Sequence, residues 1–170
     1  MQFTQLLSPQ TVRQGVLASS KKRLMEIVCD IFASQQDKAQ EKYPLLEALC
    51  EREKVGCTAL GAGIALPHIK IEHLSAPQGV FLQLANGINY AANDNKDVDL
   101  IFALFLPEEN AHHYAPLLPE IAKQLCQKTI AKQLRSATSD DELWHIFENL
   151  DHHLATSENY DEQRSQASEA

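Results

Sequence analysis

The sequence predicts a single domain of mixed α/β or α+β class, in which helices cover both faces of one β-sheet. Residues 100–106 form a continuous apolar run, which is typical of a central strand that is covered on both faces. Segments with apolar residues at helical spacing stand both before and after this run, so helices are numerous enough to cover two faces. A length of 170 residues suits one domain with a substantial core.

The first part of the chain predicts a short irregular arm followed by two helices. Ser19 or Ser20 can cap the first helix. Its apolar positions recur at helical spacing and are Leu24, Ile27, Val28, Ile31 and Phe32. Residues 35–42 are polar and predict a connection. Pro44 suits the first turn of the second helix, which is expected to end near Gly56.

The middle of the chain predicts about four or five strands. Residues 64–66 and 79–84 are short apolar runs, and each predicts a buried strand. Asn86 and Gly87 form a typical two-residue turn, so residues 88–90 are expected to pair back as a hairpin. The central run described above completes this set of strands.

The last part of the chain predicts helices and then a polar tail. The first helix carries an apolar stripe of Leu117, Leu118, Ile121 and Leu125. A shorter helix carries Ile130 and Leu134. Residues 139–142 form a capping box that opens a further helix, whose buried face is Leu143, Ile146, Phe147 and Leu150. Residues 153–170 are poor in apolar side chains, and we expect a disordered tail there.

Composition excludes several classes of partner and compartment. The formal net charge of −8 argues against nucleic acid or an anionic membrane as the main partner, because both require clustered Lys and Arg. The four cysteines are scattered without a C-x-x-C pair, which favours free thiols in a reducing compartment. No signal peptide or apolar run long enough to span a bilayer is visible. We therefore expect a cytoplasmic protein.

The chemically informative stretch is residues 55–70. Leu66 precedes Pro67, which favours extended backbone, and Pro67 has no N–H for a sheet ladder. His68 is therefore expected at a strand end, where a side chain can face a cleft, with Lys70 on the same side. A neutral imidazole in that position is a plausible nucleophile for a phosphoryl group. The alternative is a surface loop that carries an incidental histidine.

Other chemistries have weaker support in the sequence. The adjacent pairs His112-His113 and His152-His153 lack metal-ligand spacing, and Cys57 has no recognisable base, so neither a metal site nor a cysteine nucleophile is expected. Gly61 and Gly63 lack a nucleotide-binding spacing, and no cofactor is expected. These glycines instead permit close backbone approach, and their neighbouring amides are candidate hydrogen-bond donors to a phosphoryl group.

Residues 52–68, reading R-E-K-V-G-C-T-A-L-G-A-G-I-A-L-P-H, resemble the active-site motif of IIA proteins of the phosphotransferase system. Among the mannitol- and fructose-type IIA proteins, they look most like the nitrogen-regulatory branch. The likeness continues through residues 79–84, 98–104, 128–130 and 134–143. We accordingly assign residues 1–152 to one IIA domain of this type, followed by the polar tail.

The resemblance implies an α/β domain with a mixed sheet of about five strands and helices on both faces. It also implies that His68 accepts a phosphoryl group from a phosphohistidine on a small HPr-like carrier. Arg52, which otherwise belongs to a solvated charge cluster, becomes a phosphate ligand, and Lys70 can add positive charge. The family's second active-site histidine aligns with Tyr114, and His113 and His112 precede it. Many family members also have glycine where this chain has Ile69.

The implied function is that of a phosphotransferase acting as a phosphocarrier, whose phosphorylation state regulates other proteins that the sequence does not identify. One alternative is a sugar-transport IIA component that passes the phosphoryl group to a IIB domain. The sequence contains no fused IIB or IIC segment, which favours the regulatory role. The other alternative is a non-catalytic interaction domain that has lost transfer, because the second histidine is replaced.

Overall fold

The computed structural model describes residues 1–37 and 41–168 of the chain. Its helices are α1 (Phe3–Leu6), α2 (Lys21–Ser34), α3 (Lys42–Val55), α4 (Ala111–Tyr114), α5 (Leu117–Leu125), α6 (Lys128–Ser136) and α7 (Asp140–Ser168). Its strands are β1 (Val12–Val16), β2 (Ala59–Gly61), β3 (Ile64–Ala65), β4 (His68–Ile71), β5 (Gln78–Ile88) and β6 (Val98–Pro107). The α/β class is confirmed, and the sheet has six strands, where about five were expected.

The sheet is mixed and is built around β6. The strand order is β1-β5-β6-β3-β2, and β4 also pairs with β6. β5 runs antiparallel to β6, whereas β3 and β4 run parallel to it, one after the other along the same edge. β1 is parallel to β5, and β2 is antiparallel to β3. Both segments that flank Pro67 are therefore held by the same central strand.

The side chains of β6 alternate between two hydrophobic layers. Ile101, Ala103 and Phe105 face the layer of α2 and α3. Leu100, Phe102 and Leu104 face the layer of α1, α5, α6 and α7. The ring of Phe105 stacks on Phe32 of α2 with centroids 3.8 Å apart. The prediction of a central strand covered on both faces is confirmed, because residues 100–106 are all buried.

The first two long helices follow the sequence predictions. The Ser20 hydroxyl accepts a hydrogen bond from the Arg23 backbone N–H at 3.1 Å and caps α2. α3 ends at Val55, directly before Gly56. Residues 38–40 of the predicted polar connection lie outside the described part of the chain.

The N-terminal arm is more ordered than predicted. It contains α1 and the strand β1, which pairs with β5. The Asp151 carboxylate of α7 accepts the backbone N–H groups of Phe3 and Thr4 at 2.6 and 2.9 Å. These contacts join segments that are far apart in the sequence, so local periodicity did not reveal them.

The predicted hairpin at Asn86-Gly87 is wrong. β5 continues through both residues, and Ile88 pairs with Val98 of β6 after a register shift that follows Gln83. A tight two-residue hairpin turn of the predicted kind requires positive φ at both central residues, and neither Asn86 nor Gly87 has one. The strand bends at this irregularity instead of reversing.

Where the sequence predicts a disordered tail, the described residues form the end of a long helix. The Ser139 hydroxyl accepts the Glu142 N–H at 3.1 Å, which opens α7 as expected. The helix then continues through residues 153–168, which are exposed over most of their length. Once a helix is nucleated, each further residue adds one hydrogen bond, so extension is easier than initiation.

The four cysteines, which are Cys29, Cys50, Cys57 and Cys126, are all free. Within the described residues, no helix is long and apolar enough to cross a membrane.

Candidate functional site

His68 is delivered by a strand that a proline interrupts. β3 ends at Ala65, and pairing with β6 resumes at His68, which lies opposite Leu104. Pro67 cannot donate to the ladder, but its carbonyl accepts the Leu104 N–H at 2.9 Å. The central strand therefore holds the backbone on both sides of the interruption, and His68 stands at the start of β4, as the position of Pro67 predicts.

The two nitrogens of the His68 imidazole have different partners. Nδ1 lies 2.8 Å from the carbonyl oxygen of Leu66, and Nε2 lies 3.4 Å from Nη2 of Arg52. A carbonyl only accepts and a guanidinium only donates, so Nδ1 carries the proton and Nε2 presents its lone pair. The geometry thus selects one tautomer, in which Nε2 is the unprotonated nitrogen of the ring.

Arg52 lies beside His68, where the family resemblance predicts it. Its Nη1 donates to the Gly56 carbonyl at 2.9 Å, which holds the guanidinium at the end of α3. The second half of its planar fork remains directed at the imidazole. A guanidinium in this orientation can bind two oxygens of a phosphoryl group.

Burial keeps the His68 imidazole neutral. The side chain is partly buried, and this desolvation holds the pKa of His68 below its usual value. The hydrogen bond to the Leu66 carbonyl opposes the shift, while the positive charge of Arg52 reinforces it. The lowered pKa of His68 favours the neutral ring at neutral pH, which is the form in which an imidazole can act as a nucleophile.

Two cavities open on either side of His68 and Arg52. One has a volume of about 290 Å³ and is lined by Leu60, Leu66 and Leu118, among others. The other has a volume of about 570 Å³ and contains Lys70 and His112. Lys70 is exposed on the same side of β4 as His68, as strand alternation predicts. His68 therefore borders two cavities whose linings combine apolar side chains with the cationic groups of Arg52 and Lys70.

Tyr114 and His113 lie away from this site. Both line a separate cavity of about 420 Å³ beside the N-terminus, together with Leu6. Their rings pack edge to face with centroids 5.0 Å apart. His112, in contrast, shares the larger cavity with His68. Successive side chains on a helix point about 100° apart. The sequence alone therefore did not indicate which of His112, His113 and Tyr114 lines the cavity at His68.

Gly61 and Gly63 also lie away from His68, at the turn between β2 and β3. Both have positive φ, of +91° and +81°. The backbone N–H between them, that of Ala62, donates to the Asp94 carboxylate at 2.9 Å, and the Ala62 carbonyl accepts from Arg135 at 2.7 Å. Neither glycine lines the two cavities at His68. These glycines shape a turn in the structure, which does not bring them to the cavities at His68.

The chain also matches a known protein family over most of its length. The family described as "Phosphoenolpyruvate-dependent sugar phosphotransferase system, EIIA 2" matches residues 5–150. The chain belongs to this EIIA 2 family. The match includes the His68 motif, both helical layers and all six strands.

Relatives of this EIIA 2 chain carry nitrogen-regulatory names. It is 45% identical over 160 residues to the "Nitrogen regulatory protein homolog" of Haemophilus influenzae, covering 93% of this chain and 98% of that protein. It is 40% identical over 147 residues to the "Nitrogen regulatory protein" of Escherichia coli K12, covering 86% and 89%. The crystal structure of nitrogen regulatory protein IIA-Ntr from Neisseria meningitidis superposes with a TM-score of 0.78 at 28% identity, covering 85% of this chain and 98% of that one.

Sequence reasoning about this EIIA 2 chain missed two groups near His68. Thr58, whose carbonyl accepts the Leu66 N–H at 3.0 Å, and the neighbouring Glu53 were not singled out. The sequence pattern places His112 in a histidine pair and directly before His113 and Tyr114, without distinguishing it from them. Within the described residues, no cluster of His, Cys, Asp and Glu is suited to hold a metal ion.

Proposed function

We propose that this protein is a phosphocarrier that accepts a phosphoryl group on Nε2 of His68 and regulates other proteins by its phosphorylation state. The donor is the phosphohistidine of an HPr-like carrier in a phosphoenolpyruvate-dependent relay. The observation that carries the proposal is the pair of contacts at the imidazole, with Nδ1 on the Leu66 carbonyl and Nε2 facing Arg52. Family membership supports phosphoryl transfer as the chemistry.

The transfer is a direct exchange between two imidazoles. The Nε2 lone pair of His68 attacks phosphorus, and an N–P bond forms as the N–P bond of the donor breaks. The electron pair of the broken bond returns to the donor's ring. As His68 gains positive charge, the Leu66 carbonyl that accepts Nδ1–H stabilises it, while Arg52 neutralises phosphoryl oxygens. No step in this scheme requires a metal ion or another cofactor.

The rim of the site suits a protein donor. Leu60, which has an exposed fraction of 36%, lines the smaller cavity at His68. Leu118 and Pro119 border the same cavity. Exposed apolar side chains around a partly buried nucleophile are typical of a surface that another protein covers during transfer.

The regulatory role is favoured over sugar transport by the names of the relatives, which are nitrogen regulatory proteins. A sugar-transport IIA component would instead pass the phosphoryl group to a IIB domain. An interaction domain without transfer remains the third alternative, and it predicts no phosphorylation at all.

Intact-mass measurement tests the proposal. The protein is incubated with phosphoenolpyruvate and the general phosphotransferases, with a reaction lacking phosphoenolpyruvate as control. We expect the mass of one phosphoryl group to be added, and the label to be lost in acid and retained in base. No mass gain would support the interaction-domain alternative. Onward transfer to an added IIB domain would support the transport alternative.

Arg52→Lys should slow transfer about tenfold although the charge is retained, because an ammonium cannot bind two phosphoryl oxygens in the planar fork geometry. The measurement is the single-turnover rate from a phosphorylated HPr-like donor. Arg23→Lys is the matched control, since Arg23 is exposed on α2 and pairs with Glu26. Equal transfer rates for Arg52→Lys and the parent would indicate that Arg52 is a solvated surface charge and not a phosphate ligand.

His112 is the proposed supporting histidine, in place of the predicted Tyr114 or His113. The imidazole of His112 lines the larger cavity at His68 and can donate a hydrogen bond to the phosphoryl oxygens. His112→Ala should therefore shorten the lifetime of the phosphohistidine several-fold, whereas Tyr114→Phe and His113→Ala should behave like the parent. The rate of phosphohistidine hydrolysis, measured by intact mass, distinguishes the three variants. A shorter lifetime in Tyr114→Phe or His113→Ala than in His112→Ala would assign the supporting role to Tyr114 or His113 instead.

A further inference from the structure

A nearly buried carboxylate lies on the same helical turn as Arg52. Only 8% of the Glu53 side chain is exposed. Oε2 of Glu53 forms an ion pair with Nζ of Lys21 at 2.7 Å, and Oε1 accepts the hydroxyl of Tyr90 at 3.1 Å. Oε1 also accepts the hydroxyl of Thr58, and Oε2 accepts the Thr58 backbone N–H at 3.3 Å. We call Lys21, Glu53, Thr58 and Tyr90 the Glu53 network.

The Glu53 network joins segments that are distant in the sequence. Lys21 begins α2, Glu53 lies in the last turn of α3, Thr58 precedes β2, and Tyr90 follows β5. Lys21 is also held over the Tyr90 ring, with Nζ 4.0 Å from its centroid, and donates to the Tyr90 carbonyl at 3.3 Å. Three of the four side chains therefore converge on the carboxylate of Glu53.

The Glu53 network is connected to His68 through one backbone–backbone hydrogen bond and one hydrogen bond from the imidazole to the backbone. The Thr58 carbonyl accepts the Leu66 N–H at 3.0 Å. The Leu66 carbonyl in turn accepts Nδ1–H of His68 at 2.8 Å. The loop at residues 56–58 is thus held on one side by Arg52, through Gly56, and on the other by Glu53, through Thr58.

A buried ion pair is an unusual way to obtain stability alone. Removing two charges from water is costly, and apolar side chains of the same volume often stabilise a fold equally well. Directional hydrogen bonds, however, hold a backbone segment in one position, which apolar contacts do not. The Glu53 network is therefore better suited to orienting the Thr58–Leu66 contact than to strengthening the core.

We propose that Glu53 is a positioning residue for phosphoryl transfer, which acts through Thr58 and Leu66 to hold His68 in the Nδ1–H tautomer with Nε2 directed at the donor. This inference rests on the proposed function, because it assigns Glu53 a role in that reaction. Glu53 touches neither the imidazole nor the phosphoryl group.

Two measurements on Glu53→Gln and Thr58→Val test the inference. The first is the single-turnover transfer rate at a saturating concentration of the phosphorylated HPr-like donor. A displaced imidazole reduces this rate even when the donor is bound, and we expect a loss of about tenfold or more. The second is the nitrogen chemical shifts of His68 in the unphosphorylated protein. We expect the parent to show the Nδ1–H tautomer and both variants to show a mixture of tautomers.

Asp151→Asn is the matched control, because Asp151 is also a carboxylate that accepts hydrogen bonds from another segment. It accepts from Phe3 N, Thr4 N and Thr4 Oγ1 at 2.6, 2.9 and 2.8 Å, in the opposite hydrophobic layer. This control should lower stability without changing the transfer rate or the His68 tautomer. Should Glu53→Gln not fold, Thr58→Val, which removes one hydroxyl at nearly constant volume, provides the same comparison.

Folded variants with the parental rate and a single Nδ1–H tautomer would overturn the inference and leave Glu53 a purely structural role. If the parent protein takes no phosphoryl group on His68, the proposed function fails instead. The tautomer comparison needs no donor, so a mixed tautomer in the variants would still support positioning by Glu53, and an unchanged one would refute it.

Discussion

His68→Ala is expected to abolish phosphorylation of the protein while leaving its fold intact. Nε2 of His68 is the nucleophile in the proposed transfer, and alanine has no nitrogen to replace it. The side chain lies at the start of β4, at the cavities rather than in either hydrophobic layer. Its removal should therefore change the free energy of unfolding by less than about 1 kcal/mol. Intact mass after incubation with the donor, together with urea unfolding, measures both effects.

His145→Ala is the control for the loss of a histidine. His145 lies on the exposed face of α7, where its ring contacts Glu148 and Asp141. This variant should take up one phosphoryl group as the parent does. Acid-labile phosphorylation that persists in His68→Ala would eliminate His68 as the acceptor and direct attention to another histidine.

Gly63→Ala is expected to destabilise the fold by about 2–4 kcal/mol. The φ of Gly63 is +81°, and an added Cβ would lie 2.7 Å from Nη2 of Arg135 and 3.0 Å from Oδ1 of Asp99. Arg135 would have to leave its position, and with it the hydrogen bonds to Asp99 and to the Ala62 carbonyl. The backbone conformation accounts for about half of the expected loss and the displaced hydrogen bonds for the rest. The midpoint and slope of urea unfolding measure it.

Substitutions at two other glycines distinguish the backbone cost from the cost of displacing Arg135. Gly15 has a φ of +66° and no atom near the added Cβ, so Gly15→Ala should show only the backbone cost of about 1–2 kcal/mol. Gly56 has an extended φ of 178° and open space around it, so its substitution should be nearly neutral. If Gly63→Ala costs no more than Gly15→Ala, the contact with Arg135 contributes nothing to stability.

Local signals predicted most of the regular elements and the position of His68 at a strand end. The apolar run at 100–106 needed no partner to be identified as a central strand, because only a strand covered on both faces is apolar at every position. The cap at Ser20 and the capping box at Ser139 were likewise visible as residue patterns. Pro67 restricts its predecessor and interrupts the ladder, so His68 at a strand end follows from the sequence itself.

Contacts between distant segments decided what the sequence left open or indicated wrongly. β1 forms a strand because it pairs with β5. The Asn86-Gly87 pair is extended because β5 continues through it to the pairing of Ile88 with Val98 on β6. The turn at Gly61 and Gly63 is held by hydrogen bonds to Asp94 and Arg135, two residues that are distant from the turn in the sequence. Which histidine shares a cavity with His68 depended on the rotation of one short helical turn. Local patterns depend on neighbouring residues and can be read from the chain, whereas a tautomer, a cavity and a buried ion pair exist only after folding has brought remote groups within hydrogen-bonding distance.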